Sequence, residues 1–261
     1  MKKWFKRHTE IASILVSVLL LGISSLFSWD SNPIMGLDKL CADMLIVLVC
    51  IMGIRVFGIW DTAGFQRAGF GKGLLYGSPF LVIGLGSVVV SNIGVDFSKL
   101  SFISAGNMVL FTINMLFVGM NEEIWMRSLV LNGLLRKYGE DGKGCWKAII
   151  ISALIFGAIH IPNIFFMNPV TLCVQVINAA SAGVLFGVIF IRSKNIWAGI
   201  IVHALVDWCS LFVGNCFVGA DTVLSMEMTV GQGVGIVLLG SLPPILIAYL
   251  LMRINERKLI C

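Results

Sequence analysis

Apolar residues fill this chain in eight long runs separated by short polar breaks, at about 11–29, 40–60, 74–95, 104–135, 146–166, 170–191, 196–213 and 230–252. Each is near or above the ~20 residues that a helix needs to cross ~30 Å of hydrocarbon. Eight such spans leave no room for a separate soluble domain. The pattern therefore predicts an all-α polytopic membrane protein, with residues 1–261 forming a single membrane domain. Pro79 in the third run and Pro243-Pro244 in the eighth are expected to kink their helices. Three small-xxx-small pairs, Gly73/Gly77, Gly183/Gly187 and Gly231/Gly235, mark expected close helix contacts. No internal repeat interrupts the series.

Composition supports the same class. Hydrophobic residues make up 58% of the chain and charged ones only 13%, against about 25% charged in a soluble domain. The formal net charge of +5 would suit nucleic acid only if the cations formed one patch, and they do not. Lys2, Lys3, Lys6 and Arg7 precede the first run, and the other breaks on that side carry Arg55, Arg67, Lys72, Arg136, Lys137, Lys143, Lys147, Arg192 and Lys194. With Arg253, Arg257 and Lys258 in the tail, 16 of the 19 Lys and Arg fall on one side. Only Lys39 and Lys99 fall on the other, while Arg127 lies inside a run. The positive-inside rule then puts both termini in the cytoplasm. The partner is the lipid bilayer and not nucleic acid. The first run is too long, and lacks the small-residue cleavage site, for a removable signal peptide. The seven cysteines show no CxxC or zinc-finger spacing and are expected to be packing residues.

One run departs from the pattern. Between 104 and 135, the stretch Asn121-Glu122-Glu123-Ile124-Trp125-Met126-Arg127 brings three ionisable side chains into an otherwise apolar helix. Each costs roughly 2.5–3.5 kcal/mol near a bilayer centre, so they are expected to face protein or water and to serve chemistry. Glu123 and Arg127, at i and i+4, share a face and can pair. Glu122 is turned about 100° away and is free to point elsewhere. Asn107, Asn114 and Asn121 repeat every seven residues along the same helix, which suits interhelical hydrogen bonds.

Two other runs carry rare polar groups. His160 ends the phrase Phe156-Gly157-Ala158-Ile159-His160, and His203 and Asp207 stand at i and i+4 in the seventh run. At ~1.5 Å per residue, Glu122 lies roughly 21 Å from Arg136, His160 roughly 20 Å from Lys147, and Asp207 roughly 20 Å from Lys194. Three helices, the fourth, fifth and seventh, thus place their ionisable groups in one layer. Carboxylates and imidazoles gathered inside a membrane suit hydrolysis, because a buried carboxylate can act as general base toward water while imidazole polarises a carbonyl or holds an oxyanion. Glu122, His160 and His203 are also a competent donor set for a divalent metal such as zinc. Neither HExxH nor GxSxG occurs.

These motifs, Glu122-Glu123-x-x-x-Arg127, Phe156-x-x-x-His160 and His203-x-x-x-Asp207 in that order, resemble the CPBP family of intramembrane glutamate proteases, the CaaX-protease and bacteriocin-processing (Abi) group. The resemblance covers about 102–211, a CPBP-like catalytic core. It implies a membrane-embedded endopeptidase acting on a peptide or membrane-protein substrate. Glu122 would activate water, His160 would place that water or assist proton transfer, and His203 with Asp207 would stabilise the oxyanion. Glu123 and Arg127 would support the site. Eukaryotic members have Asn where this chain has Asp207, so Asp207 must be protonated, orient His203 or bind metal. Members are described both as metalloproteases and as metal-free glutamate proteases, and both chemistries stay open. The compact chain is expected in a bacterial plasma membrane. Two other function classes fit some of these residues: a non-proteolytic membrane regulator or bacteriocin self-immunity protein on the same fold, and a proton-coupled transporter. Lack of an inverted repeat and the crowding of polar groups into one half weigh against the transporter.

Overall fold

The computed structural model describes residues 7–26, 36–90, 92, 95–139, 141–220 and 228–253. Lys2, Lys3, Lys6, Asp221, Glu227, Arg257, Lys258 and Cys261 lie outside these residues. Long helices dominate: α1 (Thr9–Leu26), α2 (Leu37–Phe57), α3 (Phe70–Val90) and α4 (Ala105–Glu123). The last of these runs through a π-helical stretch, Ile124–Leu131, directly into α5 (Asn132–Tyr138). Then come α6 (Gly142–Ala158), α7 (Pro169–Ser193), α8 (Ile196–Cys216) and α9 (Val230–Arg253). Six helical segments are long and apolar enough to cross a membrane: α1, α2, α6 with the turn after it to Phe165, α7, α8 and α9. The chain is thus an all-α polytopic membrane fold, and an exact count of eight spans goes beyond these six.

Caps define the helices that frame the core. Ser104 accepts from the Asn107 N–H at the start of α4, Asp141 from Gly144 at α6, Asn168 from Val170 at α7, and Asn195 from Ala198 at α8. Each satisfies one of the donors that a helix start leaves open. The fifth run does not stay helical as far as His160. α6 ends at Ala158, and a turn leads into a 3₁₀ segment, Ile161–Phe165. Pro162 lacks an N–H and its ring would collide with the Ala158 carbonyl, so the helix gives way before it.

α8 is the central element. It packs along α3 on one side and α4 on the other, while α7 packs against both α6 and α9. Short strands, β1 (Ser101–Phe102) and β2 (Phe217–Val218), pair antiparallel with Ser101 opposite Val218. They join the start of α4 to the end of α8, so these two helices run antiparallel.

Small residues set the closest approaches. A Cβ on Gly73 would stand 2.5 Å from Ala198 Cβ, and one on Gly77 2.5 Å from Val202 Cγ2. At Gly183 the approach is looser, with a Cβ 3.1 Å from Ala153 Cα. The third expected pair is not a contact: Gly231 and Gly235 face open space, and Gly233, two residues from each, meets Val170 instead. The small-xxx-small spacing identified the segment but not the face, because neighbouring glycines leave the register open. Buried residues of α2, the π-helical stretch, α6, α7 and α8 form the main apolar core, including Ile46, Ile124, Met126, Ile149, Phe186 and Ile200. Among the cysteines, Cys50, Cys209 and Cys216 are buried free thiols. Cys145 is disulfide-bonded, contrary to its reading as a packing residue, because no spacing motif announces the bond.

Candidate active site

The site lies where α4 meets α8. Gly119 makes the meeting possible: a Cβ there would stand 2.9 Å from the Ile200 carbonyl oxygen and 3.1 Å from the Ala204 nitrogen. Backbone atoms cannot yield as a flexible side chain can, so only glycine brings the two helices this close. One turn further along α4 are Glu122 and Glu123, opposite His203. Gly199, one turn before His203 on α8, leaves room for Glu123, whose Oε2 would be 3.3 Å from any Cβ at that position.

His203 is buried and stands among three carboxylates. Its Nδ1 is 2.8 Å from Glu123 Oε1, a hydrogen bond. Its Nε2 is 3.5 Å from Glu122 Oε2 and 3.4 Å from Asp207 Oδ2. Both are longer than a typical N–H···O bond of about 2.9–3.0 Å, so neither carboxylate holds Nε2 outright. The Glu123 carboxylate, acting as acceptor, fixes the Nδ1–H end of the ring and aims Nε2 into the space between Glu122 and Asp207.

Glu123 and Glu122 differ in environment. Glu123 is 1% exposed, and its second oxygen forms an ion pair with Arg127 Nε at 3.2 Å. The Glu122 side chain is 19% exposed, and among the described residues no Lys or Arg pairs with it. Arg127 lies between two rings, its guanidinium carbon 4.8 Å from the centre of Phe156 and 5.3 Å from that of Phe186. Nη1 and Nη2 find no hydrogen-bond acceptor among the described residues, so ring faces and the Glu123 charge hold this buried cation. The same rings hold His203: Phe186 stacks on it at 4.8 Å and Phe156 meets it edge-on at 6.0 Å.

His160 stands in the turn after α6, half-buried, with Nδ1 2.9 Å from the Phe156 carbonyl oxygen. A carbonyl only accepts, so Nδ1 carries the proton and Nε2 is the acceptor in the neutral ring. The Phe156 ring that meets His203 edge-on also stands edge-on to the His160 ring at 5.4 Å, and no hydrogen bond joins His160 to Glu122 among the described residues.

A second polar group reaches the site from α2, and sequence reasoning passed over it. Asp43 is fully buried, bonded to Lys39 one turn earlier and accepting from Asn121 Nδ2 at 2.8 Å. It therefore ties α2 to the residue just before Glu122. An acid inside an apolar run was a visible signal, but its nearness to Lys39 made it resemble a flank. Asn114 also reaches across, to the Gly36 carbonyl at 3.4 Å, whereas Asn107 is exposed. Phe186, Gly119 and Gly199 carried no sequence signal, since each is an ordinary residue within an apolar helix.

The donor set does not assemble a cation site. The Nδ1 bonds of His203 to Glu123 and of His160 to a backbone carbonyl leave both Nε2 atoms free, but among the described residues no group of three His, Cys, Asp or Glu is placed to hold a metal ion. Glu122, His160 and His203 thus lie near one another without forming the metal set that their chemistry allowed.

A family model described as Type II CAAX prenyl endopeptidase Rce1-like matches residues 104–209. That segment holds Glu122, Glu123, Arg127, His160, His203 and Asp207, and the match is to the group that the three motifs resemble. No curated protein and no solved structure gives a significant match.

Proposed function

We propose that this chain, whose residues 104–209 match the Rce1-like type II CAAX prenyl endopeptidase family, is an intramembrane endopeptidase hydrolysing a peptide bond of a membrane-associated substrate. The observation that carries the reading is His203, anchored through Nδ1 by Glu123 while Nε2 faces Glu122 and Asp207. In this reading a water between Glu122 and His160 gives its proton to Glu122. The hydroxide oxygen attacks the scissile carbonyl carbon, and the C=O pair moves onto oxygen. Doubly protonated His203 donates Nε2–H to that oxyanion, a contribution of the kind worth roughly 2.7–4 kcal/mol. On collapse the C–N bond breaks, and the proton held by Glu122 passes to the leaving amine. Asp207 orients His203 and balances its charge. His160 accepts a hydrogen bond from the water through Nε2.

Glu123 and Arg127 take no part in bond making. They hold His203 at the right angle. The family match supports a prenylated peptide ending in a CaaX sequence as the first substrate to try. The distribution of Lys and Arg supports cytoplasmic termini. The test uses full-length protein in lipid vesicles with a farnesylated CaaX peptide, following release of the carboxy-terminal tripeptide. Cleavage that is lost in His203→Ala is the expected result. Full cleavage by His203→Ala, in protein with unchanged melting, removes the basis of the reading.

A further inference from the structure

Outside the Glu122–His203 site, the described surface has a cavity of about 740 Å³ between the start of α6 and the end of α9. Asp141, Lys143, Trp146, Tyr249, Met252 and Arg253 line it. We propose that it binds the phosphate headgroup of an anionic phospholipid, independently of the proteolytic reading.

Both walls share one layout. On α6, Trp146 stands three residues inward of Lys143; on α9, Tyr249 stands four residues inward of Arg253. Each helix therefore presents a cation at the rim and an aromatic ring one turn deeper, on the same face. That is the arrangement of a membrane interface, where rings sit at headgroup level and cations reach phosphate. Neither Lys143 nor Arg253 has an ion-pair partner among the described residues. Arg253 instead lies over the Tyr249 ring, 4.9 Å from its centre. Asp141 is the one acid in the lining among the described residues, and its Oδ1 already accepts the Gly144 N–H at 2.7 Å. Among the described lining residues, Lys143 and Arg253 outweigh Asp141, so the balance of charge is positive.

What continues below the cations separates a lipid from free phosphate. Along the Lys143 face of α6 come Ile150 and Leu154, 49% and 63% exposed. Along the Arg253 face of α9 come Leu246 and Leu242, 57% and 59% exposed. Two apolar stripes thus lead away from a basic mouth, and acyl chains fit them while inorganic phosphate does not.

The experiment uses full-length protein in uncharged detergent micelles doped with phosphatidylglycerol, with phosphatidylcholine, or with inorganic phosphate and no lipid. Phosphatidylglycerol is expected to raise the melting temperature above the other two conditions. K143Q/R253Q should melt like the wild type in phosphatidylcholine, and its apparent affinity for phosphatidylglycerol should fall roughly tenfold or more. K72Q, which removes a cation elsewhere, should keep the full response. A second readout needs neither charge variant: Trp146 emission, taken as the difference between wild type and W146F, should be quenched more by brominated phosphatidylglycerol than by brominated phosphatidylcholine. The proposal is overturned if both lipids act alike, if K143Q/R253Q keeps the wild-type response, or if inorganic phosphate alone reproduces the shift.

Discussion

Two adjacent glutamates occupy opposite situations. Glu123 is enclosed, paired with Arg127 and bonded to His203, whereas Glu122 is partly open and faces His203 Nε2. Removing one partner of a buried pair leaves a charge without compensation, typically at a cost of roughly 3–5 kcal/mol. Arg127→Met should therefore lower the melting temperature sharply, and Glu123→Gln added to it should restore part of the loss. A double variant no more stable than Arg127→Met would show that the pair is not coupled. Asp43→Ala would leave Lys39 and the Asn121 amide without their acceptor, a loss of roughly 1–3 kcal/mol measurable by thermal unfolding in detergent. Unchanged melting would mean that water replaces the carboxylate. Much of this was legible in the residues alone, because an ionisable group in an apolar run is rare enough to stand out. Glu122, Glu123, Arg127, His160, His203 and Asp207 all came from that contrast. Phe186 did not, since a phenylalanine that stacks on His203 looks in sequence like any other core residue.

Among the elements, α8 depends on glycines of its neighbours. Gly119→Ala would put a methyl against the backbone of α8, forcing α4 outward and moving both glutamates away from His203. Cleavage should fall at least tenfold in protein that still folds, because a displacement near 1 Å at a catalytic constellation can cost 10²-fold. Gly231→Ala is the matching control. Among the described residues nothing lies within 4 Å of a Cβ there, so activity should stay and the helix should gain up to about 1 kcal/mol. Wild-type cleavage by Gly119→Ala would show that α4 and α8 tolerate separation. Helix order was readable from the apolar runs, but the count of eight spans goes beyond the six segments that are long and apolar enough to cross, and two local features were not readable either. The π-helical stretch at Ile124–Leu131, where the Asn132 N–H bonds back to the Arg127 carbonyl, is buried along its whole length and contains no helix-breaking residue that would announce it. The end of α6 before His160 had a signal in Pro162, which the length of the apolar run outweighed.

For the molecule as a whole, charge and chemistry occupy different places. Cations gather at one set of connections, while the ionisable site lies among α4, α6, α7 and α8. The positive-inside rule then predicts that a fluorescent protein fused to either end is bright in the cytoplasm, and that alkaline phosphatase fused there is inactive. Active phosphatase at either end would reverse the orientation. Such orientation bears on substrate access, but the central claim concerns one carboxylate. It is tested most directly by the single-turnover rate of peptide cleavage in vesicles for Glu122→Gln against wild type, at matched melting temperature. The account predicts a loss of roughly 10²–10⁴-fold, the share of a general base. Cleavage by Glu122→Gln at the wild-type rate would contradict it.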